Sequence, residues 1–266
     1  MGTSLGSALV SAGHTVRWVS DGRSEATRTR AAESGLAETG ALAAGVDGAD
    51  VTVSVCPPDR AVAVAREVAS TGFTGVYCDV NAIAPSTARS VAATVGAVGA
   101  EPVDGGIVGP PARRPGTTRL FLSGDRAGEV ADLFAGTTLE TVVVDGGIGA
   151  ASATKVAYAA WTKGSSALLL AVAAYAEAEG VTSALRTEWN RSQPDLADRL
   201  SLTAAGTGPK AWRFAGELAD SGRAFADVGL PDGFGAAAAD IYQRLETLRD
   251  QESVTLDAVL DLLNRG

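Results

Sequence analysis

The chain has 266 residues, of which 46 % are hydrophobic and 20 % charged, enough for one or two domains and too apolar for a disordered chain. Its 31 acidic against 22 basic side chains leave a net charge of −9, which argues against nucleic-acid and anionic-membrane partners. The longest apolar run, residues 167–176, is about half the ~20 residues of a membrane span, no basic hydrophobic leader opens the sequence, and a soluble cytoplasmic protein is expected.

In chain order, residues 1–13 read as a helix that turns into a strand at 15–20. Further strands follow at 50–56, 75–80, 101–103, 119–123 and 140–144, with helices at 24–34, 59–70, 85–95 and 126–134. This alternation predicts an α/β, Rossmann-like parallel sheet. Ser86 and Asp125 lie close to helix-cap positions. Cys56 and Cys78 fall inside strand-like runs and read as buried thiols of a reducing compartment. Gly146-Gly147-Ile148-Gly149 closes the β-like part. A long Ala/Leu helix then runs over 150–179 to Gly180, and amphipathic helices continue to Leu263. Two domains are expected: a dinucleotide-binding domain at 1–146 and an all-α substrate and dimerisation domain at 147–266.

Proton-transfer chemistry has few possible carriers. The chain holds 19 Arg, three Lys (Lys155, Lys163 and Lys210) and one His, His14. Arg stays protonated and shuttles protons poorly, and His14 reads as a structural hydrogen-bonding residue at a turn. Lys, Tyr, Cys and carboxylates remain. No metal site is expected.

Three loops stand where ligands bind in an open parallel sheet, beyond the carboxyl ends of strands. Ser20-Asp21-Gly22-Arg23-Ser24 follows the first visible strand. Asp21 there suits the ribose of NAD, whereas Arg23 with Ser24 suits the 2′-phosphate of NADP through charge-assisted hydrogen bonds. NADP is favoured, with NAD possible. Cys56-Pro57-Pro58-Asp59 and Asp79-Val80-Asn81-Ala82-Ile83-Ala84-Pro85 close the next two strands and belong to the same edge.

The stretch 152–164 supports three readings. Ser152 and Lys155 spell the S-x-x-K of serine acylases, but the S-D-N and K-T-G elements of that chemistry are absent. Tyr158 and Lys163 suggest the Tyr/Lys pair of short-chain reductases, yet they are five residues apart and off a common helical face. The third reading places Lys155, Tyr158, Thr162 and Ser166 in one polar stripe, which faces a cleft.

The N-terminal helix, residues 79–85, Val103-Asp104-Gly105-Gly106-Ile107-Val108-Gly109 read as a turn, and Lys155 occur in the order seen in the β-hydroxyacid dehydrogenase superfamily, which the whole chain resembles. That superfamily contains 6-phosphogluconate and 3-hydroxyisobutyrate dehydrogenases. Lys155-Val156-Ala157-Tyr158-Ala159-Ala160-Trp161-Thr162-Lys163-Gly164, Lys210-Ala211-Trp212-Arg213-Phe214 and Gly229-Leu230-Pro231-Asp232-Gly233-Phe234 are similar to a branch of it whose C-terminal domain has no assigned function.

The resemblance implies that Met1-Gly2 ends a glycine-rich dinucleotide loop, that a strand and turn precede Met1, and that Lys155 transfers the proton. Three positions depart from the superfamily pattern. Its usual Asn four residues after the lysine is Ala159, its Ser-Gly-Gly turn is Val108-Gly109-Pro110, and its Ser-Thr pair is Asn81-Ala82. The implied function is hydride transfer between a nicotinamide cofactor and a small hydroxy or carbonyl metabolite. Lys155 is the expected general acid/base, its pKa brought down from ~10.4 by partial burial. Gly2, Arg23, Ser24, Cys56, Pro57, Pro58 and Asn81 are expected to line the cofactor, and Asn81, Val108, Gly109, Tyr158 and Thr162 the substrate, in a crevice between the domains. Lys210 and Arg213 are further candidates for a carboxylate. A homodimer through the helical domain is expected. The competing reading is a non-catalytic dinucleotide binder or an inactive fragment.

Overall fold

The structure is a computed structural model and describes residues 1–265. It divides into two compact units, Met1–Val156 and Ala157–Gly266.

The first unit runs α1 (Gly2–Ser11), β1 (Arg17–Val19), α2 (Glu25–Glu33), β2 (Ala37–Thr39), α3 (Leu42–Val46), β3 (Val51–Ser54), α4 (Ala61–Ser70), β4 (Val76–Asp79), α5 (Pro85–Gly96), β5 (Glu101–Val108), β6 (Arg119–Ser123), α6 (Ala127–Asp132) and β7 (Glu140–Val143). It ends in the first two turns of α7 (Ala150–Ala178). Alternation makes the strands: in β6, Leu120 and Leu122 are fully buried while Arg119 and Phe121 are half-buried. β4 is buried at all four positions, as a strand covered on both faces must be.

Five strands pair in the order β3-β4-β5-β6-β7. The sheet is parallel except between β5 and β6, which run antiparallel from Asp104↔Ser123 to Val108↔Arg119. The parallel sheet expected from sequence is present, with one antiparallel step. A parallel return needs a crossover of roughly a dozen residues or more, usually helical, and the connection 109–118 holds no helix.

β1 and β2 form a separate parallel pair, Arg17↔Ala37 to Val19↔Thr39. β1 and β3 therefore each keep one edge without a strand among the described residues. In the doubly wound order the first strand lies between these two edges. The architecture is Rossmann-like with that strand absent.

Leu5 and Ala8 of α1 cluster with Val76, Cys78, Leu120 and Leu122, and Val130 of α6 joins them. A second cluster gathers Ala65 and Val68 of α4, Tyr77 of β4, and Ala88 and Val91 of α5. The sheet is covered on both faces.

The segment 103–109, expected as a turn, is strand up to Val108. Its glycines serve close approach. A Cβ on Gly105 would stand 2.7 Å from Val80 Cγ1, and one on Gly106 would stand 2.9 Å from Lys155 Cβ.

The second unit is helical: the rest of α7, then α8 (Thr182–Ser192), α9 (Leu196–Thr207), α10 (Ala211–Ala226), α11 (Gly233–Arg244) and α12 (Leu256–Asn264). Leu170, Trp189, Leu200, Leu218, Tyr242 and Val259 share its core. α10 and α11 touch at Gly222 and Gly235, where a Cβ on Gly235 would fall 2.6 Å from Gly222 Cα. By length and composition α7 is apolar enough to cross a membrane, a property it shares with the core helices of soluble proteins.

Candidate functional site

The carboxyl ends of β3 and β4 are tied together by one side chain. Asn81, 4 % exposed, donates from Nδ2 to Ser54 Oγ (3.1 Å) and to Asp79 Oδ2 (2.9 Å). Its Oδ1 accepts from Cys56 N–H at 2.6 Å, and its own N–H donates to Asp79 Oδ1 at 3.0 Å. Asn81 thus clamps the 55–58 loop to the 80–84 loop, and both its amide groups are engaged within the chain. Burial pushes the Asp79 carboxyl up to about 6, with the Asp104 charge adding to the rise against the two Asn81 hydrogen bonds. Burial also raises the Cys56 thiol, and the Arg23 guanidinium pulls it the other way.

Gly2, Arg23 and Cys56 therefore meet at one edge. A Cβ on Gly2 would lie 3.8 Å from Val55, so α1 begins beside the end of β3. Ser4 and Leu5 N–H already bond Met1 C=O (2.9 and 3.1 Å). The N–H groups of Gly2 and Thr3 are those the helix start offers to an anion. Gly22, at φ +67°, closes the turn in which Arg23 N–H donates to Ser20 C=O at 3.0 Å. The Arg23 guanidinium makes no hydrogen bond or ion pair among the described residues, whereas Arg28 pairs with Glu38 and donates to Ser20 C=O. Ser24 Oγ lies 3.1 Å from Thr27 Oγ1. Pro57 and Pro58 are exposed beside this edge. A helix start, an uncommitted arginine and an exposed loop fit the phosphates of a dinucleotide.

Lys155 lies half-buried on the second turn of α7. Its Cβ passes over Gly106, where any side chain on β5 would displace it. Asp104, Gly106 and Val108 alternate onto this face. The structure so brings Lys155 onto β5, the strand paired with β4, whose carboxyl end carries the Asn81 clamp. Gly109, at φ +118°, starts the turn after β5, and a Cβ there would meet Thr117 C=O at 2.3 Å.

In the helical unit Tyr158 is exposed. Thr162 Oγ1 donates to Tyr158 C=O and Ser166 Oγ to Thr162 C=O, both at 2.8 Å. These hydroxyls are satisfied by their own helix, which accounts for a polar stripe on an apolar segment. Lys163 pairs with Glu217 and stands 4.5 Å over the Phe214 ring, and burial lowers its pKa against the pull of that partner. Both cysteines are free.

Sequence reasoning did not single out Asp79 or Gly106 as parts of this arrangement. The quoted 103–109 motif held the available signal, because paired glycines next to an acidic residue in a strand mark a close approach.

The family described as "Domain of unknown function (DUF1932)" matches residues 176–245. The conserved protein MTH1747, of unknown function and described as structurally similar to 3-hydroxyacid dehydrogenases, superposes with a TM-score of 0.75 at 26 % identity over 92 % of this chain and 93 % of its own. The fold is that of the β-hydroxyacid dehydrogenase-like superfamily. The 3-hydroxyisobutyrate dehydrogenase of Mycobacterium tuberculosis shares the superfamily fold (TM-score 0.72, 21 % identity, 99 % and 95 % coverage). The reductive aminase of Aspergillus terreus, solved with NADPH, shares it more distantly (0.57, 18 %, 98 % and 95 %). No curated protein matches the chain.

Proposed function

We propose that the protein is an NAD(P)-dependent oxidoreductase acting between a hydroxyl and a carbonyl on a small metabolite, with Lys155 as general acid/base. The observation that carries this reading is the Lys155 turn packed on Gly106, on the strand next to the Asn81 clamp. Gly2, Thr3 and Arg23 would hold the dinucleotide, with Ser24, Cys56, Pro57 and Pro58 along its edge. When bound, that cofactor accepts or supplies the hydride.

The chain's own residues carry the proton. Lys155 Nζ takes it from the alcohol in oxidation and returns it to the developing alkoxide oxygen in reduction. Asn81 acts through the loops it clamps, since its amide is already engaged. Val108 and Gly109 would form the floor beside the lysine, and Tyr158 and Thr162 would follow it along the helix. Arg23, free of ion pairs, supports NADP over NAD.

One observation favours a second reading, a dinucleotide binder without turnover. Ala159 is buried where the superfamily pattern has a polar Asn, so a substrate contact is missing.

The test is NADPH titration of the full chain, followed by NADPH consumption with a panel of oxo acids, ketones and cyclic imines. Lys155→Ala is expected to lower turnover by about 10²–10⁴-fold while NADPH affinity stays within a few-fold. Unchanged turnover would remove Lys155 from the chemistry, and tight binding without turnover on the whole panel would support the binder.

A further inference from the structure

The start of α7 is held from outside the helix. Asp104, 2 % exposed on β5, accepts Gly149 N–H (3.1 Å), Ser152 N–H (2.9 Å) and the Ser123 hydroxyl (3.2 Å) on Oδ2. Its Oδ1 accepts the Ser152 hydroxyl at 2.6 Å. Ser123 of β6 in turn accepts Ala151 N–H at 3.0 Å. Three N–H groups that a helix start leaves without intrahelical partners are thereby satisfied by two strands.

A buried carboxylate is costly unless donors surround it. Here four donors do, and the positive end of the α7 dipole favours the same charge. A helix cap is usually the residue just before the helix. This one comes from 45 residues earlier, so it ties a strand to the helix rather than only ending the helix.

The tie sits one helical turn from the lysine. Ser152 seats on Asp104 through its hydroxyl and its N–H, and three residues on, Lys155 Cβ passes over Gly106, two strand residues along β5. With no side chain at Gly106, the lysine turn lies directly on the β5 backbone.

We infer that Asp104 is the positioning residue for Lys155, fixing the lysine's turn on β5 through Ser152 and the α7 start. This rests on the reading of Lys155 as acid/base. Misplacement of a reacting group by 1 Å is enough to cost about a hundredfold in rate.

The test compares Asp104→Ala and Ser152→Ala with the unaltered full chain in two readouts. One is the rate of NADPH consumption on the oxo-acid and imine panel beside NADPH affinity. The other is the ¹³C-methyl NMR signal of reductively methylated lysines, of which the chain has only three, with Lys155 assigned through Lys155→Arg. The second readout needs no substrate and would not move for a change confined to the global fold's stability.

Asp104→Ala is expected to slow turnover at least tenfold, to leave NADPH affinity within twofold, and to shift and broaden the Lys155 signal while Lys163 and Lys210 stay in place. Ser152→Ala, which keeps the carboxylate, should give a smaller change of the same kind. A Lys155 signal and rate as in the unaltered chain would overturn the inference; if Asp104→Ala does not fold, Ser152→Ala decides in the same way. If Lys155→Ala itself retains turnover, the acid/base reading fails instead, and the NMR signal separates that outcome from this one.

Discussion

Asp79 offers the sharpest test of the site's electrostatics. Its carboxyl is 2 % exposed and is raised from an ordinary 3.8 to about 6, first by burial. The folded state therefore binds the proton more tightly than the unfolded chain. The sign follows: the stability this group contributes is fully present below about pH 4 and is lost as pH rises through about 6. A shift of about two units, at 1.36 kcal/mol each, corresponds to roughly 3 kcal/mol.

Asp79→Asn removes the titration. The amide still accepts one of the two Asn81 hydrogen bonds, and losing the other costs about 1 kcal/mol. The variant should thus be about 0.5 kcal/mol less stable than the unaltered chain at pH 4 and about 2 kcal/mol more stable at pH 8, with the two curves crossing near pH 4.5. Unfolding of the first unit can be followed alone through Cys78, which is fully buried on β4 next to Asp79. In a Cys56→Ser background, urea titrations from pH 4 to 8 would be read by pulses of a dipyridyl disulfide, which reacts at acid pH. A variant whose stability keeps the same slope between pH 4 and 7, or that is destabilised at pH 8, would refute the reasoning.

Three other expectations can be checked directly. Arg23→Ala should weaken NADPH by about 10–150-fold, the equivalent of one charge-assisted contact of ~1.5–3 kcal/mol, and NADH by much less; equal losses by calorimetry would make Arg23 an ordinary surface cation. A six-residue Val/Ile-rich segment joined ahead of Met1 should pair with the open edges of β1 and β3, raise the melting temperature and slow amide exchange over Arg17–Val19 and Val51–Ser54; unchanged exchange there would mean that the edges do not accept a strand. Trp161, Leu168 and Tyr175 recur every seven residues along α7, 75 %, 64 % and 66 % exposed, so light scattering should return a dimer, and Leu168→Lys should shift it to monomer.

The strand–helix alternation of the first unit was legible because its strands are short apolar runs between Ala-rich helices. β6 coincides with the expected 119–123, and α7 with 150–179 to within one residue at its end. β2 and α3 were not read at all. With three and five residues they are too short to show a period, and β2 is exposed at two of its three positions, so no apolar alternation marks it. Lys155 stood out on other grounds: an Arg-rich chain with three lysines makes each lysine conspicuous.

Asn81 and Asp104 show where such reading stops. Both were visible in quoted motifs, yet polar side chains at strand ends look alike whether they face a ligand or another loop. Asn81 was expected to touch cofactor and substrate, but its amide is engaged by Cys56, Ser54 and Asp79, residues that only the pairing of β3 with β4 brings within reach. Asp104 caps a helix start at Gly149, 45 residues later. β5 reads as Val103, Gly105 and Ile107 on one face and Asp104, Gly106 and Val108 on the other. The second set is a poor core face and a poor solvent face. It becomes intelligible once α7 lies across it, because a carboxylate and a glycine two residues apart are what a helix start and its second turn require of the strand beneath them.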